Sequence, residues 1–295
     1  MSTEDTNSDS STSSKEDTEP YLFPLPPPKP PRPSFRPISE PIWTKSKARL
    51  IEEYLHLFTL VTKHGTYIDG FSGPQEPDRP EMWSAKLVLG NNLLQHFYLF
   101  ERDNQKVKVL EALKKLHHKK HVELFPGDFN IEIHKFLGSG RIKDKEAAFC
   151  LIDQRTFECH WKSIEAIAAH RKTGYKIELF YFLANQWLPR AFSGLRDDSI
   201  PERWWGRTDW RILKEMNSHE RVMAFVKRFE SELHYKYVNP WPINERLGRG
   251  HLMYHMIHAA DHIEAPRLMR RAYDKAARPE GAASQIELNL QPPSP

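Results

Sequence analysis

Five short apolar runs between residues 66 and 184 set the strongest limit on how this chain can fold. They are TYIDGF (66–71), HFYLFE (96–101), HVELFPG (121–127), AAFCLID (147–153) and KIELFYFLA (176–184). Each is of strand length, and polar or helix-patterned sequence separates it from the next. NQKVKVLEALKKL (104–116) reads as an amphipathic helix between two of them, and HWKSIEAIAAHRKTG (160–174) as another, closed by Gly174. Near-continuous apolar runs belong to strands buried on both faces. Their alternation with helices predicts an α/β fold, a parallel sheet with helices on both faces. Upstream, the stretch 44–65 spaces Leu50, Tyr54, Leu57, Phe58 and Val61 three and four apart, as one face of a helix that stops at Gly65. Downstream, 218–233 and 262–277 read as helices, with HYKYVNPWPI (234–243) and HLMYHMIHAA (251–260) as strands.

The ends have a different composition. Residues 1–20 carry six acids and one base among Ser and Thr, a stretch too polar to bury a core. PLPPPKPPRP (24–33) predicts a stiff polyproline II spacer. These define a disordered leader over 1–41, a folded domain over 42–278 and a loose tail over 279–295. The overall charge of +4 divides into −5 for residues 1–20 and +9 for the remainder, a balance that suits an anionic partner such as nucleic acid. There is no apolar run of membrane-spanning length and no secretory h-region, so the expectation is a cytoplasmic protein with no membrane contact. Two cysteines, Cys150 and Cys159, make neither a disulfide framework nor a zinc finger.

In open α/β sheets, ligands bind beyond the carboxyl ends of the strands. The first four runs each end at an acid: Asp69, Glu101, Asp128 and Asp153. After the first, Gly70 and Gly73 let backbone approach a ligand closely. An acid closing the second strand accepts ribose hydroxyls, the third suits an adenine amine, and the fourth faces the reacting end. The set describes an adenosyl-ribose pocket. A dinucleotide fold would require G-x-G-x-x-G, whereas Pro74, Gln75, Glu76 and Pro77 follow Gly73. No G-K-[ST] occurs either. S-adenosylmethionine, cationic at sulfur and without phosphate, suits an acidic surround better than a pyrophosphate does. Asp103 directly precedes the 104–116 helix and reads as its cap.

Six strings taken together, YIDGFSGP, FYLFERD, FPGDFN, LIDQRTFECHW, KIELFYFL and RWWGRTDW, resemble the three-Cys-motif partner proteins, a mostly bacterial and phage family similar to divergent class I S-adenosylmethionine methyltransferases. The resemblance runs from about Thr44 to Tyr273. It implies a seven-stranded Rossmann-like sheet whose last strand is antiparallel. It also implies that Asp69, Gly70, Phe71, Ser72 and Gly73 hold the methionine moiety, Glu101 the ribose and Asp128 the adenine region. A partner protein bearing a three-cysteine motif follows from the same source. Two positions depart from the family: Gln75 stands where relatives have glycine, and Asp153-Gln154-Arg155-Thr156-Phe157 replaces D-P-F-G. Asp153 is the catalytic candidate, with Phe157 beside the acceptor. The alternative is a catalytically inactive Rossmann-like subunit that binds a partner or nucleic acid.

Two further patterns carry expectations. RWWGRTDWRI (203–212) interleaves tryptophans with arginines, and Arg203, Trp205, Arg207 and Arg211 are candidates to stack on bases and hold phosphates; the equal alternative is a lid or extra helix packed by its tryptophans. His251, His255, His258 and His262 would form a stripe on a helix, but on a strand His258 points away from His251 and His255. The strand reading leaves no metal site.

Overall fold

The computed structural model describes residues 42–76, 78–246 and 249–276; the acidic, proline-rich leader and the tail lie outside them. The elements, in chain order, begin with α1 (Ile42–Thr62), β1 (Thr66–Asp69), a short 3-10 turn (Pro80–Met82), α2 (Ser84–Leu89), β2 (His96–Glu101), α3 (Asn104–Leu116) and β3 (His121–Pro126). Then follow α4 (Phe129–Leu137), β4 (Ala148–Ile152), α5 (Trp161–Ala169), β5 (Glu178–Leu183), α6 (Leu188–Gly194), α7 (Ser199–Trp205) and α8 (Ile212–Glu215). The chain continues with α9 (Ser218–Ser231), β6 (Tyr237–Arg246), β7 (Arg249–Ala260) and α10 (Ala265–Ala276).

All seven strands form one sheet in the order β3-β2-β1-β4-β5-β7-β6. The pairs from β3 to β5 are parallel, and β7 is antiparallel to both β5 and β6. This is the seven-stranded, mostly parallel sheet with an antiparallel last strand that the resemblance implied. The order reverses between β1 and β4, which lie side by side with Asp69 opposite Leu151.

Alternation along each strand sorts side chains into two cores. Ile68, Cys150, Ile152, Leu179 and Tyr181 face α4, α5 and α9. Tyr67, Phe149, Leu151, Phe180 and Met256 face α1, α2, α3 and α10. Both cysteines are free and buried. Their thiols are pushed well above the ordinary range, chiefly by burial, so they act as small apolar groups.

Helix α1 buries Leu50, Ile51, Tyr54, Leu55 and Phe58 against the second of these cores. Each such side chain contributes about 1.5–3 kcal/mol when fully buried. The apolar stripe read from the sequence is rotated in the fold: Leu57 is only half-buried and Val61 is 50% exposed, while Ile51 and Leu55 take their places. Two polar groups on this face reach acids of the sheet, while the buried Thr59 hydroxyl bonds back to the Leu55 carbonyl. Tyr54 donates to both carboxylate oxygens of buried Glu178 at 2.8 Å. Lys47, two turns earlier, is 4% exposed and meets Asp153.

Burial pushes the Tyr54 hydroxyl well above the ordinary tyrosine range, with the neighbouring Glu178 charge adding to it. The phenol therefore stays a proton donor. Tyr54→Phe leaves the Glu178 carboxylate buried without that donor, at an expected cost of about 1–3 kcal/mol in stability. Urea unfolding should show a lower midpoint with an unchanged slope.

Candidate functional site

The site is built at the point where the strand order reverses, on the carboxyl edge of β1, β2, β3 and β4. Its first component is the turn after β1. Gly70 donates its N–H to the Leu151 carbonyl at 3.0 Å, and Ser72 donates its N–H to the Phe100 carbonyl at 2.9 Å. The Ser72 hydroxyl donates to the Asp69 carbonyl at 2.8 Å, and Trp83 donates its indole N–H to the Ser72 carbonyl at 2.6 Å. The turn is thus tied to both neighbouring strands.

Asp69 lies beneath this turn, 1% exposed. It accepts from the Tyr67 hydroxyl at 2.8 Å and the Phe71 N–H at 3.1 Å. Burial pushes its carboxyl up to about 7, opposed by those two hydrogen bonds and reinforced by the charges of Asp153 and Glu101.

Glu101 closes β2 and folds back onto backbone. It accepts the Gly73 N–H at 3.0 Å on one oxygen and the Asp103 N–H at 2.9 Å on the other. Position 73 must be glycine for this contact, because a Cβ there would stand 2.2 Å from the Glu101 oxygen and 2.6 Å from Lys106 Cδ. Asp103 accepts from the N–H groups of Gln105 and Lys106, the capping role expected of it. Asp128 likewise caps α4, accepting the Asn130 N–H at 2.8 Å, while still lining the cleft. Phe71 packs against Phe129 with ring centroids 5.5 Å apart.

Asp153, after β4, pairs with Lys47 Nζ at 2.8 and 2.6 Å. No spacing in the sequence connects these two residues. The available signal was a lysine on the apolar side of α1, two turns before Tyr54. The departure at Gln154 has a structural basis. Gln154 is 1% exposed, accepts the Cys159 N–H at 2.8 Å and donates to the Phe182 carbonyl at 3.3 Å. It fixes the loop that follows β4.

Together these groups surround a cleft of about 160 Å³ lined by Gly70, Phe71, Gly73, Glu101, Asp128 and Asp153 among others. Gln75 also lines it, from an exposed position on the rim. The cleft shares Arg102, Asp128, Arg155 and Glu158 with a wider groove of about 540 Å³, to which Phe157, His160 and Arg203 belong. Arg102 bonds Glu158 across their shared edge at 3.0 Å. Phe157 is stacked on Phe192 at 5.4 Å and edge-on to Trp204 at 5.0 Å, so one side of its ring is committed to the core.

The tryptophan–arginine segment divides differently from the sequence expectation. Trp205 is 2% exposed, donates to Asp209 at 2.8 Å and lies under the Arg228 guanidinium. It is a core residue with no face for a base. Arg207 pairs with Glu232 at 2.7 Å and Arg211 pairs with Asp198. Neither borders the cleft or the groove, and of the segment's arginines Arg203 alone does. The cause is helical: α7 turns Trp204 and Trp205 into the core and leaves Arg203 outward. The histidines fall on β7 and beyond it, with His258 buried and His251 exposed.

No protein-family model matches the chain, and a search of curated proteins finds no match. Among solved structures, TYW2 from M. jannaschii, in complex with AdoMet, is similar at 13% identity and a TM-score of 0.40, covering 72% of this chain and 75% of that one. Trm5b from Pyrococcus abyssi is similar at 14% identity and a TM-score of 0.36, covering 72% of this chain; this chain spans 48% of its length. The sheet order, the antiparallel β7 and the helices on both faces define the class of the fold, the Rossmann-like arrangement of the class I methyltransferases.

The buried acid gives a signed pH dependence. Between the ordinary carboxylate range and about 7, folded Asp69 keeps a proton that the unfolded chain has released. Stability from this group therefore falls as pH rises through that window, and is level above it. Asp69→Asn removes the effect. Its unfolding midpoint should gain on the wild type between about pH 5 and about pH 8.

Proposed function

We propose that the chain is an S-adenosylmethionine-dependent methyltransferase whose acceptor is anionic. The carrying observation is the cleft at the switch point, where Glu101, Asp128 and Asp153 line one pocket, with Asp69 buried beneath its first turn and Glu101 approaching the backbone closely at Gly73. The acids lining the cleft, Glu101, Asp103, Asp128, Asp153 and Glu158, outnumber its cations Arg102, Lys106 and Arg155, a balance that favours a sulfonium and ribose hydroxyls over a pyrophosphate. The donor set therefore fits this cofactor.

Glu101 would hold the ribose with the oxygen lone pairs that face away from Gly73 and Asp103. The 69–73 turn would hold the methionine moiety, with Asp69 beneath it. Phe71 and Phe129 supply an apolar wall for the adenine, and Asp128 stands beside them. When bound, S-adenosylmethionine supplies an electrophilic methyl group. The residues' part is to position and polarise an acceptor, not to form a covalent intermediate. Asp153, paired with Lys47, would accept a hydrogen bond from that acceptor.

The wider groove would seat the acceptor. Arg102, Arg155 and Arg203 border it, with Phe157 and His160 between them. Arginines give bidentate contacts to phosphate, and an aromatic edge accommodates a base, so nucleic acid is the acceptor class that suits it. A partner protein with a three-cysteine motif belongs to the same reading.

Calorimetry tests the central part. S-adenosylmethionine and S-adenosylhomocysteine should both bind saturably, and Glu101→Ala should weaken both about tenfold or more. Because Asp69 ionises through about 7, the sulfonium form should gain affinity between about pH 6 and about pH 8 relative to the neutral thioether. Absence of heat from either ligand would leave the inactive-subunit reading in its place.

A further inference from the structure

A second cavity, of about 330 Å³, lies at the opposite edge of the sheet. Phe58 and Val61 from the end of α1, Ala147 and Ala148 at the start of β4, and Ala265 and Leu268 of α10 supply apolar walls. The strand β4 runs from this cavity to Asp153 at the cleft, five residues and so roughly 16 Å. The two sites are therefore separate, although α1 contributes to both edges.

Within the apolar lining stand Tyr54 and Glu178. Glu178 is 7% exposed. Among the described residues its carboxylate accepts from one donor, the Tyr54 hydroxyl. A carboxylate has about four acceptor positions, and an under-partnered buried one is costly. The neighbouring imidazole does not relieve it. His258 is fully buried with Nε2 3.7 Å from Glu178 Oε1, beyond hydrogen-bond distance, and among the described residues neither ring nitrogen has a hydrogen-bond partner. Of the three cations that line the cavity, Lys145, Arg171 and Lys176, two are bonded to other groups. Lys176 bonds Asp261 at 3.1 Å and the His234 carbonyl at 2.8 Å. Arg171 donates to the carbonyls of Tyr175, Lys143 and Glu146.

A volume above about 300 Å³, apolar walls and one or two convergent polar groups are the attributes of a small-molecule site. The polar group here is a carboxylate whose nearest basic side chain, His258 at 3.7 Å, stands outside hydrogen-bond reach, so the complementary ligand is a cation with a hydrocarbon body. We propose that this cavity binds a small apolar primary amine, its ammonium on Glu178 and its body between Phe58, Ala148 and Leu268.

Titration of the full chain with benzylamine and with benzyl alcohol, followed by calorimetry, tests the proposal. Benzylamine should bind saturably, and about tenfold or more tighter than the alcohol, since the ion pair adds to the same apolar contact. Glu178→Gln should remove that advantage. Val61→Trp, at a half-exposed position on the cavity rim, should block both ligands without touching the buried carboxylate, and it decides the matter alone if Glu178→Gln does not fold. Glu101→Gln, at the far edge, should leave benzylamine binding unchanged. The proposal is overturned if benzylamine does not bind the wild type, if amine and alcohol bind equally, if Val61→Trp binds both as the wild type does, or if Glu101→Gln abolishes binding.

Discussion

Two acids on adjacent strands, Asp69 and Asp153, set the terms for the carboxyl edge of this sheet. They stand at the point where strand order reverses, and the charge of Asp153 adds to the burial that raises the cost of ionising Asp69. The fold answers the two in different ways. Asp69 is enclosed by its own turn, with the Tyr67 hydroxyl and Phe71 N–H directed at it. Asp153 is met by an ammonium that α1 carries across the face of the sheet. The position of α1, the rigidity of the 69–73 turn and the shape of the cleft all depend on this division.

Helix α1 consequently has a double duty. Its apolar stripe covers one face of the sheet, and two of its buried polar side chains, Lys47 and Tyr54, meet acids at two levels of that sheet. Lys47 and Tyr54 are seven residues apart, about 10 Å along the axis. A helix that slid by one turn would leave both Asp153 and Glu178 without partners, so the pair fixes its register. Buried polar contacts of this kind are poor sources of net stability but good sources of uniqueness.

The strands were legible because both of their faces are buried, and a run such as HFYLFE has no other reading once helices flank it. The acids were legible because they close those runs, and a residue at a strand's carboxyl end has a fixed place in an open sheet. The antiparallel β7 came from the family resemblance and not from periodicity. What could not be read was anything set by contact across the chain. Lys47 meets a residue 106 positions away. Gln154 looked like a lost proline and is instead a buried clamp on Phe182 and Cys159. Trp205 looked like a stacking platform because composition does not say which side of a short helix faces inward. Glu178 gave no signal, since it opens an apolar strand, and His258 was legible only as one of four spaced histidines, not as a neighbour of Glu178.

The carboxyl edge of the sheet is the proposed cofactor site. Hydrogen–deuterium exchange with and without S-adenosylhomocysteine tests this most directly, because the turn after β1 and the backbone around Glu101 and Asp103 carry amides bonded to the site's own acids. The prediction is slowed exchange confined to residues 69–75, 99–103, 126–130 and 153–158 on adding the ligand. Exchange unchanged in all four segments, or slowed only elsewhere, would contradict it.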